Sequence, residues 1–598
     1  MKEKKKIIFD MIHANELNYT LEDFEKDVKK AAQAGATHVM LSPLEKSRWM
    51  WEQDLTDPYP NWGMLLLSLF KIIVPDILKG YLPEGYAKRN LSLLTKRMEI
   101  LKKYQLKAAL TLCEPFYLPE AFYRDHPHWR GPRCDHPRRA RNTYYSPCID
   151  QPRVLDVYKK TMAQLLSFID VDYMTIYTND SGGGLCWSKG LYNGANGPSF
   201  CKDRSPADRI TGFLGALRQG ALMAGKELDI EIHSNIGYKE PEHALDNVWP
   251  KLADHTAVNG RTNKGTPMTY RVNLNYENTF SPVKNIPLAF EFAQQLENAY
   301  KSDSEHIHLL LPSSDFDAYF HIAKRFIKKP VFGLYDRVVL LRDVATELVG
   351  MPYADTLLSV WQSIDRAWWH FIDTHIEGLN ICSVNQRWIN RPFVLFPHEL
   401  TEEERGYYRA FQFQANDEKQ ANDLLNFQCT SFIRGYYAVW IASSILERAG
   451  NCIKSAVCEL DAIKNDDQSI SKSICILKDR LKLLRCFFKS AVHAMKFQDI
   501  VDNIDYSEEP EISPRWPIDA QPEFLEYQAI TRAEIDNTQE MIELIQGRES
   551  KMLFVAPTKE GEDIFVFSPE LVSQMKKKID IMLNHELDGK RVFVTNNK

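Results

Sequence analysis

One feature limits the fold more than any other. Over about the first 340 residues, short apolar runs alternate with amphipathic stretches. "KIIFDMIHANE", "THVMLSP", "LKAALTLCEPF", "VDYMTIYTND" and "LDIEIHSNI" read as strands. Between them, "LEDFEKDVKKAAQAG", "YAKRNLSLLTKRMEILKKYQ", "QPRVLDVYKKTMAQLLSFID" and "PADRITGFLGALRQGALMAG" carry apolar residues at helical spacing. Further on, "YRVNLNYE", "PLAFEFAQQ", "HIHLLLPSS" and "PVFGLYDRV" are strand candidates with less distinct helices between them. Such alternation calls for a parallel sheet with helical crossovers. Eight or so units favour a (β/α)8 barrel, an α/β fold of the TIM type, over an open doubly wound sheet. No GxGxxG follows the first strand, and "SGGGLCWSKG" lacks the spacing of a phosphate-binding loop.

From about residue 345 the texture turns helical. "DTLLSVWQSIDRAWWHFIDTH", "EERGYYRAFQFQANDEKQANDLLNFQCTSFIRGYYAVWIASSILERAG" and "ISKSICILKDRLKLLRCFFKSAVHAMKF" show little strand signal. The expected organisation is a barrel over 1–344, an α-helical domain over 345–545, and a coda over 546–598 with a small hairpin and a last helix. Trp368, Trp369, Tyr436 and Tyr437 in the helical part would close a pocket or form a homodimer face; a simpler reading makes them core.

Composition narrows the function. The 598 residues are 44% hydrophobic with a net charge of −6, which gives no nucleic-acid surface. The 11 cysteines are scattered and include no CxxC, so they read as reduced thiols in a cytoplasmic-type protein. "MKEKKKIIFDMIHANEL" is neither a signal peptide nor a membrane span, which points to the cytoplasm, or to the periplasm if a leader has been trimmed. No His or Cys cluster has zinc spacing, and neither metal nor cofactor is expected.

The strand ends carry the chemistry. Apolar runs finish in Asp10 and His13, Ser42, Glu114, Asn179 and Asp180, His233 and Asn235, Asn275 and Glu277, and Glu291. In a barrel, the C-terminal strand ends form the active-site face. Polar residues at so many ends predict a pocket for a polyhydroxylated or charged ligand, so the expected partner is a carbohydrate. In "YTNDSGGGLCWS", glycines after Asp180 would let a bulky substrate approach a carboxylate. Asn179 would bind a hydroxyl and Trp187 would stack on a ring. The simpler reading has Asp180 capping a turn. Two carboxyl groups across a cleft are the arrangement for glycoside hydrolysis. Asp180 is the candidate acid, with Glu291 or Glu297 as base or nucleophile and Glu114 as a further acid. Arg141 and Tyr145 on the following loop, with His233, Asn235 and His13, would line the pocket. Glu297 has a simpler reading as a helix-surface carboxylate, and His233 as a satisfied structural histidine.

Two stretches carry a resemblance. "TIYTNDSGGG" resembles the strand-end segment of family 67 α-glucuronidases, in which an Asn-Ser-Glu-Gly run holds the general acid. "IPLAFEFAQQLENAY" is similar to that family's later Glu-Phe-Gln…Gln-Glu-Tyr segment. The resemblance implies a barrel with a helical domain, an exo-acting hydrolase releasing a terminal uronic acid, and Glu297 on the base side. A looser match of "VNLNYENTF" points to Glu277. The chain departs from the family in two ways. Ser181 stands where the family has its acid, one place after Asp180, and the strand–helix rhythm starts without the family's N-terminal β domain. A barrel that binds sugars without cleaving them, or a partner-binding scaffold, is the alternative that this displaced acid suggests.

Overall fold

A computed structural model describes residues 5–11, 19–44, 67–134, 143–178, 200, 203–233, 243, 245–274, 280–312, 317–372, 389–411, 436–464, 467–502, 522–556, 558–559, 562 and 567–591. Eight parallel strands form one curled sheet: β1 (Lys6–Met11), β2 (His38–Met40), β3 (Lys107–Cys113), β4 (Val171–Tyr177), β5 (Asp229–His233), β6 (Thr256–Val258), β7 (Thr269–Asn273) and β8 (His306–Leu311). Their spatial order is β6-β5-β4-β3-β2-β1-β8-β7. The outer strands β6 and β7 are joined by a tight loop in which Met268 N donates to Gly260 O. Helices surround the sheet, giving a (β/α)8-type barrel. They are α1 (Leu21–Ala34), α2 (Glu84–Lys103), α3 (Pro152–Phe168), α4 (Pro206–Met223), α5 (Ala289–Lys301), α6 (Ala318–Lys328) and α7 (Leu334–Val349).

Local chemistry explains where these elements begin and end. Thr20 and Asp23 form a reciprocal capping box at the start of α1. Gly35 ends that helix at φ +96°, and a side chain there would strike Ile327 at 2.8 Å. Pro152 occupies the first turn of α3, and Ser205 caps α4 by accepting from Asp208 N. Gly220 on α4 lets the helix approach α3, since a Cβ there would lie 2.5 Å from Lys159 O.

Two strand expectations fail. "PLAFEFAQQ" lies largely in α5, with Ala289, Phe292, Ala293 and Leu296 buried at helical spacing. Asp365, from a helix far along the chain, accepts from Phe290 N and Glu291 N and so caps that helix. "PVFGLYDRV" leads into α7. Conversely, the three-residue strand β6 lies in the polar stretch "LADHTAVNGRT", which contains no apolar run to read.

Beyond the barrel come α8 (Ala354–Ile372), α9 (Glu402–Ala410), α10 (Tyr436–Leu460), α11 (Gln468–Asp502), α12 (Pro522–Ile545) and α13 (Leu571–Asn584). Trp368 is buried against Phe280 and Phe371, while Trp369 is exposed. The coda makes single bridges, Val555 with Phe567 and Leu553 with Val283. One apolar core runs from the barrel strands into α8, α10, α11 and α12. No described helix is long and apolar enough to cross a membrane.

Candidate active site

Side chains alternate along each strand, so residues two apart share a face. Ile7, Phe9, Ile307, Leu309, Ile230 and Ile232 pack outward into the main core shared with the helices. The opposite positions fill the barrel, and most are polar.

At the N-terminal end, Asp229 accepts from Lys6, His255 and His306 at 3.0, 2.8 and 3.1 Å. Burial opposes its charge, but His306 and His255 outweigh this and hold the carboxyl below the usual range. Above it, Ile8, Met40, Ala109 and Tyr173 form a small apolar plug. The Tyr173 hydroxyl donates to Glu231 Oε2 at 3.0 Å. Arg271 reaches across from β7. Its Nη2 donates to Thr175 Oγ1 at 2.7 Å and lies 3.2 Å from Glu231 Oε1. Nearby, His308 Nε2 donates to Asp10 Oδ2 at 3.1 Å.

The register fixes what lies higher. Thr175 pairs with Glu231, and Tyr177 pairs with His233 two residues further towards the C-terminal ends. The Tyr177 and His233 rings meet edge to face at 5.6 Å. His233 is half-buried, and its ring makes no hydrogen bond among the described residues. Burial, then the charges of Arg271 and His308, push its pKa down to about 3, so the imidazole is neutral.

Glu114, one residue beyond β3, sits at the same end of the barrel and is fully buried. Its carboxyl accepts from Leu69 N at 2.5 Å, Phe116 N at 3.1 Å and the Tyr158 hydroxyl at 3.0 Å. Burial pushes its pKa up to about 7 against the opposing pull of these donors. Lys71, also buried, lies over the Phe116 ring at 4.4 Å. Glu114 therefore ties two strand-end loops and α3 together, in the manner of a positioning residue.

The other expected residues are scattered. Glu291 lies in the first turn of α5, where it accepts from Gln295 Nε2 at 2.7 Å; it does not end a strand. Glu297 is buried in the helical layer. It accepts from Lys301 at 2.5 Å, from Gly333 N at 3.0 Å and from Arg337. Burial opposes its charge, and these donors nevertheless hold its pKa at about 2. Tyr145 belongs to a two-stranded ribbon with residues 130–133, and Arg130 stacks over its ring at 4.7 Å. His13, Arg141, Asn179, Asp180, Trp187, Asn235 and Glu277 lie outside the described residues.

Sequence reading passed over Arg271, Glu231, Tyr177 and His308. Arg271 and Glu231 had a signal in "TYRVN" and "DIEIH", where polar residues hold every second place, and Tyr177 and His308 had a weaker one in the alternation of "YMTIY" and "HIH". A polar residue in the buried register of a parallel strand faces the barrel interior.

No protein-family model matches the sequence, and no curated protein matches it. Solved structures do. A glycoside hydrolase family 138 enzyme targeting pectin rhamnogalacturonan II shares 9% identity at a TM-score of 0.52, over 98% of this chain and 68% of that one. The O-GlcNAc hydrolase of Thermobaculum terrenum shares 10% identity at 0.38, over 98% of this chain and 96% of that one. A catalytic module of a pneumococcal exo-β-D-N-acetylglucosaminidase shares 11% at 0.32, over 62% and 99%. The first speaks for the fold: a barrel with its helical region, of a kind found among glycoside hydrolases.

Proposed function

We propose that the chain is a glycoside hydrolase acting on the terminal sugar of a complex glycan, with a uronic acid as the sugar. The supporting observation is the polar interior of the barrel. Arg271, Asp10, His233 and Tyr177 rise towards the C-terminal strand ends, where enzymes of this fold keep their active sites. Asp180 follows β4 by three residues and is the proposed general acid, with Asn179 next to it and Trp187 seven positions further along the sequence. Glu114 supports the neighbouring loops. Glu291 and Glu297, the candidate partner carboxylates, both lie on α5, where Gln295 engages the first and Lys301, Gly333 and Arg337 engage the second.

A screen against glycans ending in uronic, neutral and N-acetylated sugars tests this reading, with released monosaccharide as the readout. One sugar should be released, and Asp180→Asn should lower turnover at least ~100-fold. Unchanged turnover in that variant would remove the role given to Asp180.

A second reading is a sugar-binding barrel without hydrolysis. It draws on the engagement of Glu114 and Glu297, whose carboxylates are occupied by structural donors. Binding without release across the whole panel would favour it.

A further inference from the structure

Arg271 has donors that no described residue uses. Its Nη2 is held by Thr175 and Glu231, yet Nε and Nη1 are buried without a hydrogen-bond partner. Its side chain is only 9% exposed. An unmet donor on a buried cation costs free energy, so such groups ordinarily meet water or a ligand.

The strand register places this guanidinium. It lies at the level of Thr175 and Glu231. The next inward layer is Tyr177 and His233, about 6.7 Å higher by the rise of two strand residues. Arg271 thus forms a floor, with two aromatic rings as a wall above it. Glu231 pairs with Nη2 and leaves the other nitrogens unserved. The positive field still reaches His233, whose protonation Arg271 opposes. Among the described residues nothing hydrogen-bonds the His233 ring, which leaves it able to turn and admit a group from the mouth.

We propose that Arg271, with His233 above it, is the specificity-determining pair that reads a carboxylate on the bound sugar. A carboxylate supplies acceptors for both unmet nitrogens and an opposite charge in a low-dielectric floor. A hydroxyl would supply the acceptors alone. This assignment rests on the glycan reading above and names the residues that would select the uronic acid.

The test compares ligands that differ only at that group. Calorimetry with D-glucuronate against D-glucose, and D-galacturonate against D-galactose, gives the two affinity ratios. One uronate should bind at least ~10-fold more tightly than its neutral counterpart. Arg271→Gln should bring that ratio to within ~2-fold. His233→Leu, which breaks no ion pair, should reduce it too, and serves if the Arg271 variant does not fold. Equal binding of acid and neutral sugar, or preference for the neutral sugar, overturns the carboxylate assignment and leaves the glycan reading standing. Binding of none of the four overturns both.

Discussion

Glu114 shows how one carboxyl can be placed at an active-site face and still be closed to a substrate. Three donors converge on it, and no part of it is exposed. Burial raises its pKa from 4.5 to about 7. The folded state therefore holds a proton that the unfolded chain releases. Its contribution to stability is full below about pH 4.5 and is lost as pH rises to about 7, a change of about 3 kcal/mol. Glu114→Gln should remove that slope. Denaturation midpoints of both proteins at pH 5 and 7.5 should show the native protein losing more than the variant, and parallel behaviour would contradict the burial argument. From the sequence, Glu114 is a strand-end carboxyl and a candidate acid. Its closure depends on Leu69 and Tyr158, each more than forty positions away.

At the scale of elements, α5 and α7 are locked by one side chain. Glu297 on α5 receives Gly333 N and Arg337 from the start of α7, and Lys301 from its own helix. Glu297→Gln keeps the shape and removes the charge, and should cost about 1–3 kcal/mol in chemical denaturation at pH 7. Because the pKa is lowered to about 2, this contribution is present above about pH 4.5 and is lost as pH falls towards 2. The gap between native and variant should shrink on acidification; a constant gap would place the effect in packing instead. The same helix explains a misread strand. "PLAFEF" carries aromatic residues in alternation, which suits a strand, and its helical form is favoured by a cap from Asp365 on α8. No local window contains that residue.

At the scale of the whole molecule, the helical region closes on a buried charge cluster. Glu534 on α12 accepts from Lys578 on α13 at 2.5 Å, from His493 at 2.8 Å and from Ser490 at 2.6 Å, the last two on α11. Lys578 also donates to Ile389 O at 2.9 Å, so four segments meet at one point. Lys578→Met leaves an ionised carboxyl buried without its cation and should cost about 3–5 kcal/mol. Adding Glu534→Leu should recover most of that loss, because two apolar side chains need no pairing. A double variant as unstable as the single would show that the cluster holds the segments by geometry and not by charge balance. The apolar core that continues from barrel to helices joins the two regions through one buried interface.

The sequence by itself determined most of the elements and their order. Seven of the eight barrel strands stand out by apolar runs, and the first helices by their 3.6-residue period and their caps. The shift to long helices after about residue 345 is equally plain. These properties are local, set by neighbours a few positions away. Only the tertiary structure decided which polar residues work together. Arg271, Thr175 and Glu231 lie on three different strands and meet because the sheet curls. Glu297, a candidate base with a simpler reading on a helix surface, is instead a helix lock, and two of its three partners come from the start of α7. A pattern of one residue in two or in 3.6 tells which way a side chain faces within its element. What it meets there is set by chain closure over tens to hundreds of residues, and no local period encodes that.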